Sequence, residues 1–304
     1  MPDASVDLLS LVLTLRPLSD ANGSDGVGRA AHALLLEAVR RSDAALAEEL
    51  HAGDGLRPFT ASNLIGYSPK RGLSAARTYT LRFTALTKPV AEALLMQSGL
   101  IPNLRSSDQS GEQALSVGSM VRLDTASLRI EAAICDPAQH PWAAVTTYEA
   151  LSAPWLLARS TPERRLALEF NSPTTFRSHE RHMPVPLPEL VFGSLLDRWN
   201  AFAPVAFPPE LRRYAEACLA MSAYRLRSHA VLVKDAGIRI GAVGWARYAT
   251  LSYDRYWMSL IHLLAGYAFY AGVGAGTAVG MGQCRPITDS ETLTARDAAR
   301  MRGA

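Results

Sequence analysis

The sequence predicts an α+β protein made of two tandem ferredoxin-like domains, residues 1–150 and 151–304. Three observations predict it. A chain of 304 residues suits two domains of ordinary size. A composition of 48% hydrophobic and 19% charged residues is that of a folded globular chain. The first half reads as strand, helix, strand, strand, helix, strand, the split βαβ order in which four strands are backed by two helices. The second half repeats that outline in element order, without visible sequence identity.

The elements follow from their patterns. Val6–Arg16 (VDLLSLVLTLR) is apolar with alternation and reads as a core strand. Ala21–Gly28 (ANGSDGVG) is a loop. Arg29–Arg41 places apolar residues at 31, 34, 35, 38 and 39, which is helical spacing. Ser42 and Asp43 can cap a second helix, Ala44–His51, which AGDGL at 52–56 ends. Thr78–Leu86 alternates as a strand, Lys88–Gln97 is a helix, and Leu115–Cys135 holds two strand-like runs around Asp124. A joint between the domains is expected near Thr146–Ser160.

In the second half, Arg165–Phe170 (RLALEF) is a strand and Asn171–Pro184 a polar, proline-containing loop. Pro188–Ala201 and Pro208–Leu219 are helices. Tyr224–Val233 and Ile238–Ala249 form a hairpin turning at Asp235-Ala236-Gly237. Arg255–Ala271 is the last helix. It leads into YAGVGAGTAVGMGQCR, Tyr270–Arg285, with glycines at 272, 274, 276, 280 and 282. The pattern is G-h-G, five residues, G-h-G. Such density admits positive φ and close backbone approach. Successive N–H groups there could form a nest for phosphate, with Thr277 as the loop's hydroxyl and Arg285 as a cation beside it. The competing reading is a close-packed corner. A P-loop is excluded because no Lys-Ser or Lys-Thr follows these glycines. A dinucleotide fingerprint is disfavoured because a helix, not a strand, precedes the loop.

The net charge of +3 permits a polyanionic partner without demanding one. Of 31 basic residues only Lys70, Lys88 and Lys234 are lysines; the other 28 are arginines, whose forks match phosphate and stack on bases. A base composition that favours Arg codons accounts for the same bias. Cys135, Cys218 and Cys284 are widely spaced, with no C-x-x-C, so neither zinc nor a disulfide framework is indicated. A reduced, cytoplasmic setting fits, and Asp3 and Asp7 oppose a signal peptide. The apolar run Trp257–Ala271 contains His262 and is short of a membrane span.

The chemistry-bearing residues are His32, His51 and Arg57. His51 ends the second predicted helix and Arg57 lies shortly beyond it. If the two helices fold back as a hairpin, the end of the second approaches the start of the first, where His32 stands. One imidazole could then remove a proton while the other supplies one. An arginine can hold the charge of a phosphorane. The trio suits metal-free RNA cleavage, because RNA carries its own nucleophile, the 2′-OH. Against this, a histidine after a helix is often a C-terminal cap. His179 and His182, in SHERH with Glu180, lack an evident third metal ligand and read as a solvated loop. His140, His229 and His262 stand alone and read as structural. No G-x-S-x-G elbow is present.

Four blocks carry a resemblance over essentially the whole chain. They are HALLLEAVRRSDAALAEELHAGDGLRPFTASNLIG at 32–66, LEFNSPTTFR at 168–177, LPELVFGSLLDRWNAF at 187–202, and the glycine stretch Gly272–Gly282. In this order they resemble the CRISPR-associated repeat endoribonucleases of the RAMP superfamily, the Cas-six family. The resemblance implies two ferredoxin-like domains, no cofactor and no metal. It implies binding of CRISPR repeat RNA (pre-crRNA and crRNA) and metal-independent cleavage that leaves a 2′,3′-cyclic phosphate. The family's catalytic histidine falls on His51, and a family lysine falls on Arg57. A family tyrosine falls near Leu36, which cannot do acid–base work; some relatives place a second histidine on the first helix, and His32 fits that place. The roles of His32 and His51 as base and acid stay open. RNA contact is implied for Gly272, Gly274, Gly276, Thr277, Gly280, Gly282 and Arg285. Further partners compatible with the resemblance are other CRISPR effector subunits and a second copy of the chain; no membrane partner is expected. The rival readings are a non-catalytic RAMP subunit that grips crRNA in an effector complex, and an unrelated dinucleotide enzyme.

Overall fold

The computed structural model describes residues 6–53, 55–101, 113–157, 161–178, 181–233, 237–288 and 290–291. Contacts divide the chain into two compact units. One comprises Met1–Tyr148 with Gly276–Gly280, the other Glu149–Ala275 with Met281–Ala304. The middle of the glycine stretch thus belongs to the first unit.

The first unit begins with β1 (Leu8–Pro17), α1 (Val27–Ser42) and α2 (Ala44–Ala52). β2 (Phe59–Ala61), β3 (Tyr79–Ala85), α3 (Lys88–Gln97), β4 (Met120–Leu123), β5 (Ala126–Ile134) and β6 (Ala144–Thr146) follow. Its sheet runs β2-β3-β1-β5-β4, with β6 also beside β1. Every pairing in it is antiparallel. Alternation along β1 sorts the side chains between the two faces. Leu9, Leu11, Leu13 and Leu15 join Ala31, Leu35, Ala38 and Val39 of α1 and Val90, Ala91 and Leu94 of α3 in one core. The opposite parity includes Ser10, which pairs in register with Thr84. There the buried Arg82 donates from Nε to Ser10 Oγ at 2.8 Å and lies over the Trp142 ring at 4.9 Å.

α1 and α2 form the expected helical hairpin. Asp43 separates them and caps α2, its carboxylate accepting from the Leu46 N–H at 2.9 Å. Asp124 takes φ 56° in the tight turn between β4 and β5, where the sequence placed a break.

α4 (Tyr148–Leu156) carries the chain from one unit to the other. The joint expected near 146–160 is therefore helical over most of its length, with Pro154 inside the helix; residues 158–160 lie outside the described ones.

The second unit contains β7 (Arg165–Thr174), β8 (Phe176–Ser178), β9 (Arg181–Met183), α5 (Pro188–Phe202) and α6 (Glu210–Cys218). β10 (Leu219–Val233), β11 (Gly237–Thr250), α7 (Arg255–Ala271) and β12 (Cys284–Ile287) complete it. Its sheet order, β10-β11-β7-β12, corresponds to β2-β3-β1-β5 when β4, β6 and the β8–β9 hairpin are set aside. Both units are ferredoxin-like, as the element order predicted. The polar loop expected at 171–184 is instead the end of β7 followed by the β8–β9 hairpin. The β10–β11 hairpin is longer than its sequence signal: the register begins at Leu219 opposite Thr250. Its predicted turn residues Asp235 and Ala236 lie outside the described residues. Asp254 caps α7 by accepting from the Trp257 N–H at 3.1 Å. Among the described residues no helix is long and apolar enough to cross a membrane.

Candidate active site

The site is assembled in the first unit from α1, α2, the segment before β2, and the turn within the glycine stretch. His32 lies in the second turn of α1, half-buried, its ring 5.4 Å from that of Phe59 on β2. Its Nδ1 is 3.2 Å from the Ala278 carbonyl oxygen. His51 is exposed in the last turn of α2. The helix ends at Gly53, whose N–H still reaches the Glu49 carbonyl at 3.3 Å.

Arg57 is held at that helix end. Its Nη1 donates to the Leu50 carbonyl, one of the acceptors that a helix C-terminus leaves without an internal partner. The cation also sits at the negative end of the helix dipole. A Cβ on Gly53 would stand 3.3 Å from that same Nη1, so the small residue leaves room for the guanidinium.

Electrostatics ties the three side chains together. Burial is the main cause that holds the His32 pKa below the ordinary histidine value. The hydrogen bond to Ala278 opposes that shift, and the charges of Arg57 and His51 add to it. His51 and Arg57 thus stand at the end of α2, and their charges reach His32 on α1. Leu36 is half-buried against the core and carries no group that can move a proton.

The predicted RNA-contacting residues are placed differently from expectation. Gly272, Gly274, Gly276, Gly280 and Gly282 all have positive φ, between 63° and 98°, which is why glycine is required. Their peptide groups are engaged internally, however. Gly272 N–H donates to Ala268, Val273 to Gly282, Ala275 to Thr175, Val279 to Gly276, Gly280 to Ala61 and Gly282 to Pro173. Gly274 N–H meets Ser194 Oγ at 3.0 Å, and Gln283 N–H meets Ser172 Oγ at 2.8 Å. Most of the N–H groups that the expected phosphate nest would use already have protein acceptors. Thr277 is buried, and Arg285 pairs with Glu169 at 2.8 Å and Glu291 at 3.3 Å.

Sequence reading missed two contributors to the site, Gly28 and Ala278, and one brace of the glycine stretch within the second unit, Arg198. Arg198 of α5 is buried and donates from Nη2 to the Gly274 carbonyl at 2.7 Å. Its signal was an arginine on the apolar face of an amphipathic helix. Gly28 on α1 approaches the Val279 carbonyl so closely that a Cβ would lie 2.4 Å from that oxygen. Ala278 contributes only a main-chain carbonyl, for which side-chain identity gives no signal.

Other histidines fall outside this site. His262 is buried on α7, 2.9 Å from the Glu163 carbonyl through Nε2 and stacked on Trp155 at 4.8 Å. His182 is exposed on β9, while His179 and Glu180 lie outside the described residues. Among the described residues no group of three or more His, Cys, Asp or Glu side chains is placed to hold a metal.

Two family models match the chain: the CRISPR Cas6 N-terminal domain over residues 8–153, and CRISPR-associated endoribonuclease Cas6 over residues 168–284. No curated protein matches it. Among solved structures, a Thermus thermophilus Cas6 in a product complex is 27% identical, with a TM-score of 0.72 over 93% of this chain and 100% of that one. A second Cas6 product complex is 26% identical, with a TM-score of 0.70 over 92% of this chain and 99% of that one. A Cas6 in complex with a substrate mimic is 25% identical, with a TM-score of 0.68 over 93% and 100%.

Proposed function

Because the chain belongs to the CRISPR-associated endoribonuclease Cas6 family, we propose that it binds CRISPR repeat RNA and cuts it by attack of the RNA's own 2′-OH, giving mature crRNA. The observation that supports this reading is the placing of Arg57 against Leu50 at the end of α2, next to His51, with His32 on the preceding helix α1.

In the proposed reaction the 2′-oxygen forms a bond to the adjacent phosphorus while the bond from phosphorus to the 5′-oxygen of the next nucleotide breaks. One imidazole takes the 2′-hydroxyl proton. The other gives a proton to the departing 5′-oxygen. The products are a 2′,3′-cyclic phosphate upstream and a 5′-hydroxyl downstream. Arg57, anchored by Leu50, faces the negative charge that builds on the phosphorane. No metal takes part in these steps.

The test is cleavage of a labelled repeat RNA in excess EDTA, beside the same RNA with a 2′-deoxy nucleotide 5′ of the scissile phosphate. Cleavage of the first and none of the second is expected. A requirement for Mg²⁺, or cleavage of the deoxy substrate, defeats the mechanism.

A further inference from the structure

We propose that the Thr277–Val279 turn of the glycine stretch is a positioning device for catalysis: the Ala278 carbonyl holds the His32 ring by its Nδ1–H and so presents Nε2 as the proton acceptor of the reaction. This rests on the catalytic reading of His32 given above.

The geometry is one of complementary small contacts. A carbonyl oxygen can only accept, so the nitrogen 3.2 Å from Ala278 O carries a hydrogen. In a neutral imidazole the other nitrogen then bears the lone pair. The tautomer that a general base at Nε2 needs is fixed from behind, much as a second partner orients a metal-bound or triad histidine.

The turn is itself held. Gly276 and Gly280, both left-handed, flank it at φ 76° and 98°. Gly280 N–H donates to the Ala61 carbonyl at 2.9 Å, and Gly280 bridges Ser62 in parallel, next to β2. On the other side Gly28 allows α1 to approach the Val279 carbonyl within the space a Cβ would fill. His32 is on the same helix, one turn on, with Phe59 of β2 against its ring. The ionisable groups that act on it are Arg57 and His51; the turn contributes none. Both charges disfavour a second proton on His32, and burial does so more strongly. Burial and charge thus both favour the neutral, proton-accepting form of the ring. In this proposal His51, exposed at the end of α2, takes the part of proton donor to the departing oxygen.

The experiment uses the full chain labelled with ¹⁵N-histidine, with the His32 signals assigned by their loss in His32→Gln. The neutral Nδ1–H tautomer is expected. An Nε2–H tautomer overturns the proposal, and this measurement needs no RNA. The second arm is Gly28→Ala, whose added carbon forces α1 and the turn apart. Its kcat is expected to fall on the order of 10- to 100-fold with KM within about threefold. Its His32 tautomer should no longer be fixed. The acid limb of its pH–rate profile should move to lower pH, because the lost hydrogen bond is the contact that raises the His32 pKa. A folded Gly28→Ala protein with wild-type kcat and pH profile overturns the proposal. If instead His32→Ala cleaves at the wild-type rate while the tautomer is as expected, the catalytic reading fails and the structural bond stands.

Discussion

At the scale of single residues, the site separates two histidines by environment. His51 is exposed at a helix end, whereas His32 is half-buried between an aromatic ring and a carbonyl. His51→Ala is expected to leave RNA affinity within a few-fold and lower the cleavage rate by ~100- to 10,000-fold, the range of a lost acid–base group; single-turnover cleavage and filter binding on the same protein check it. His32→Ala is expected to fall in the same range, because Leu36 offers no substitute on that helix. A third histidine gives a stability prediction. Burial depresses the His262 pKa in the folded state, so as pH falls below the ordinary histidine value the unfolded chain takes up a proton that the folded chain resists. Stability therefore falls as pH drops through that range. His262→Gln keeps an N–H for the Glu163 carbonyl and removes the titration, so melting temperatures at pH 7.5 and pH 5 should lie closer together than in the wild type. The residue scale was legible where a side chain gives the signal, as at His51 and Arg57, which stand together at the end of α2. It was illegible at Ala278, whose only functional atom is one that every residue has.

At the scale of elements, the sequence is most readable where a helix has strong ends. α3 and α7 occupy the expected Lys88–Gln97 and Arg255–Ala271. Pro89 opens the first and Asp254 caps the second. Short strands are not readable in this way. β2 has three residues and β12 four, too few to show alternation, and β12 contains Pro286. They exist because β3 and β7 offer them a partner edge, a tertiary cause. The glycine stretch is a mixed case. Its density correctly announced positive φ, but the partners of its N–H groups are set by distant segments such as Pro173 and Thr175. Gly274→Ala tests the packing role. At φ 77° a Cβ would meet the Thr175 carbonyl oxygen at 2.3 Å. A loss of more than about 2 kcal/mol, roughly 4–8 °C in Tm, is expected. RNA affinity of the protein that remains folded should be unchanged; a folded variant of normal Tm with weakened RNA binding would restore the phosphate nest.

At the scale of the whole molecule, 28 arginines are balanced to a net charge of only +3, so attraction for RNA is local and not a global field. Binding of repeat RNA should still weaken by tenfold or more between 50 and 200 mM salt if several phosphates are contacted. An affinity indifferent to salt would show that the arginines do not meet the backbone. The repeated strand order was legible because element order survives where residue identity does not. The membership of Gly276–Gly280 in the first unit was not, since nothing in a local window reports a contact across such a separation. That contact has a consequence for synthesis. The acceptor for the His32 ring is encoded 246 residues after it. At ~5–20 residues per second it leaves the ribosome roughly 12–50 s later. The helices and strands of residues 8–146 are synthesised well before the turn proposed to orient the His32 imidazole. The proposed positioning of His32 is therefore expected to be completed only after the turn has emerged.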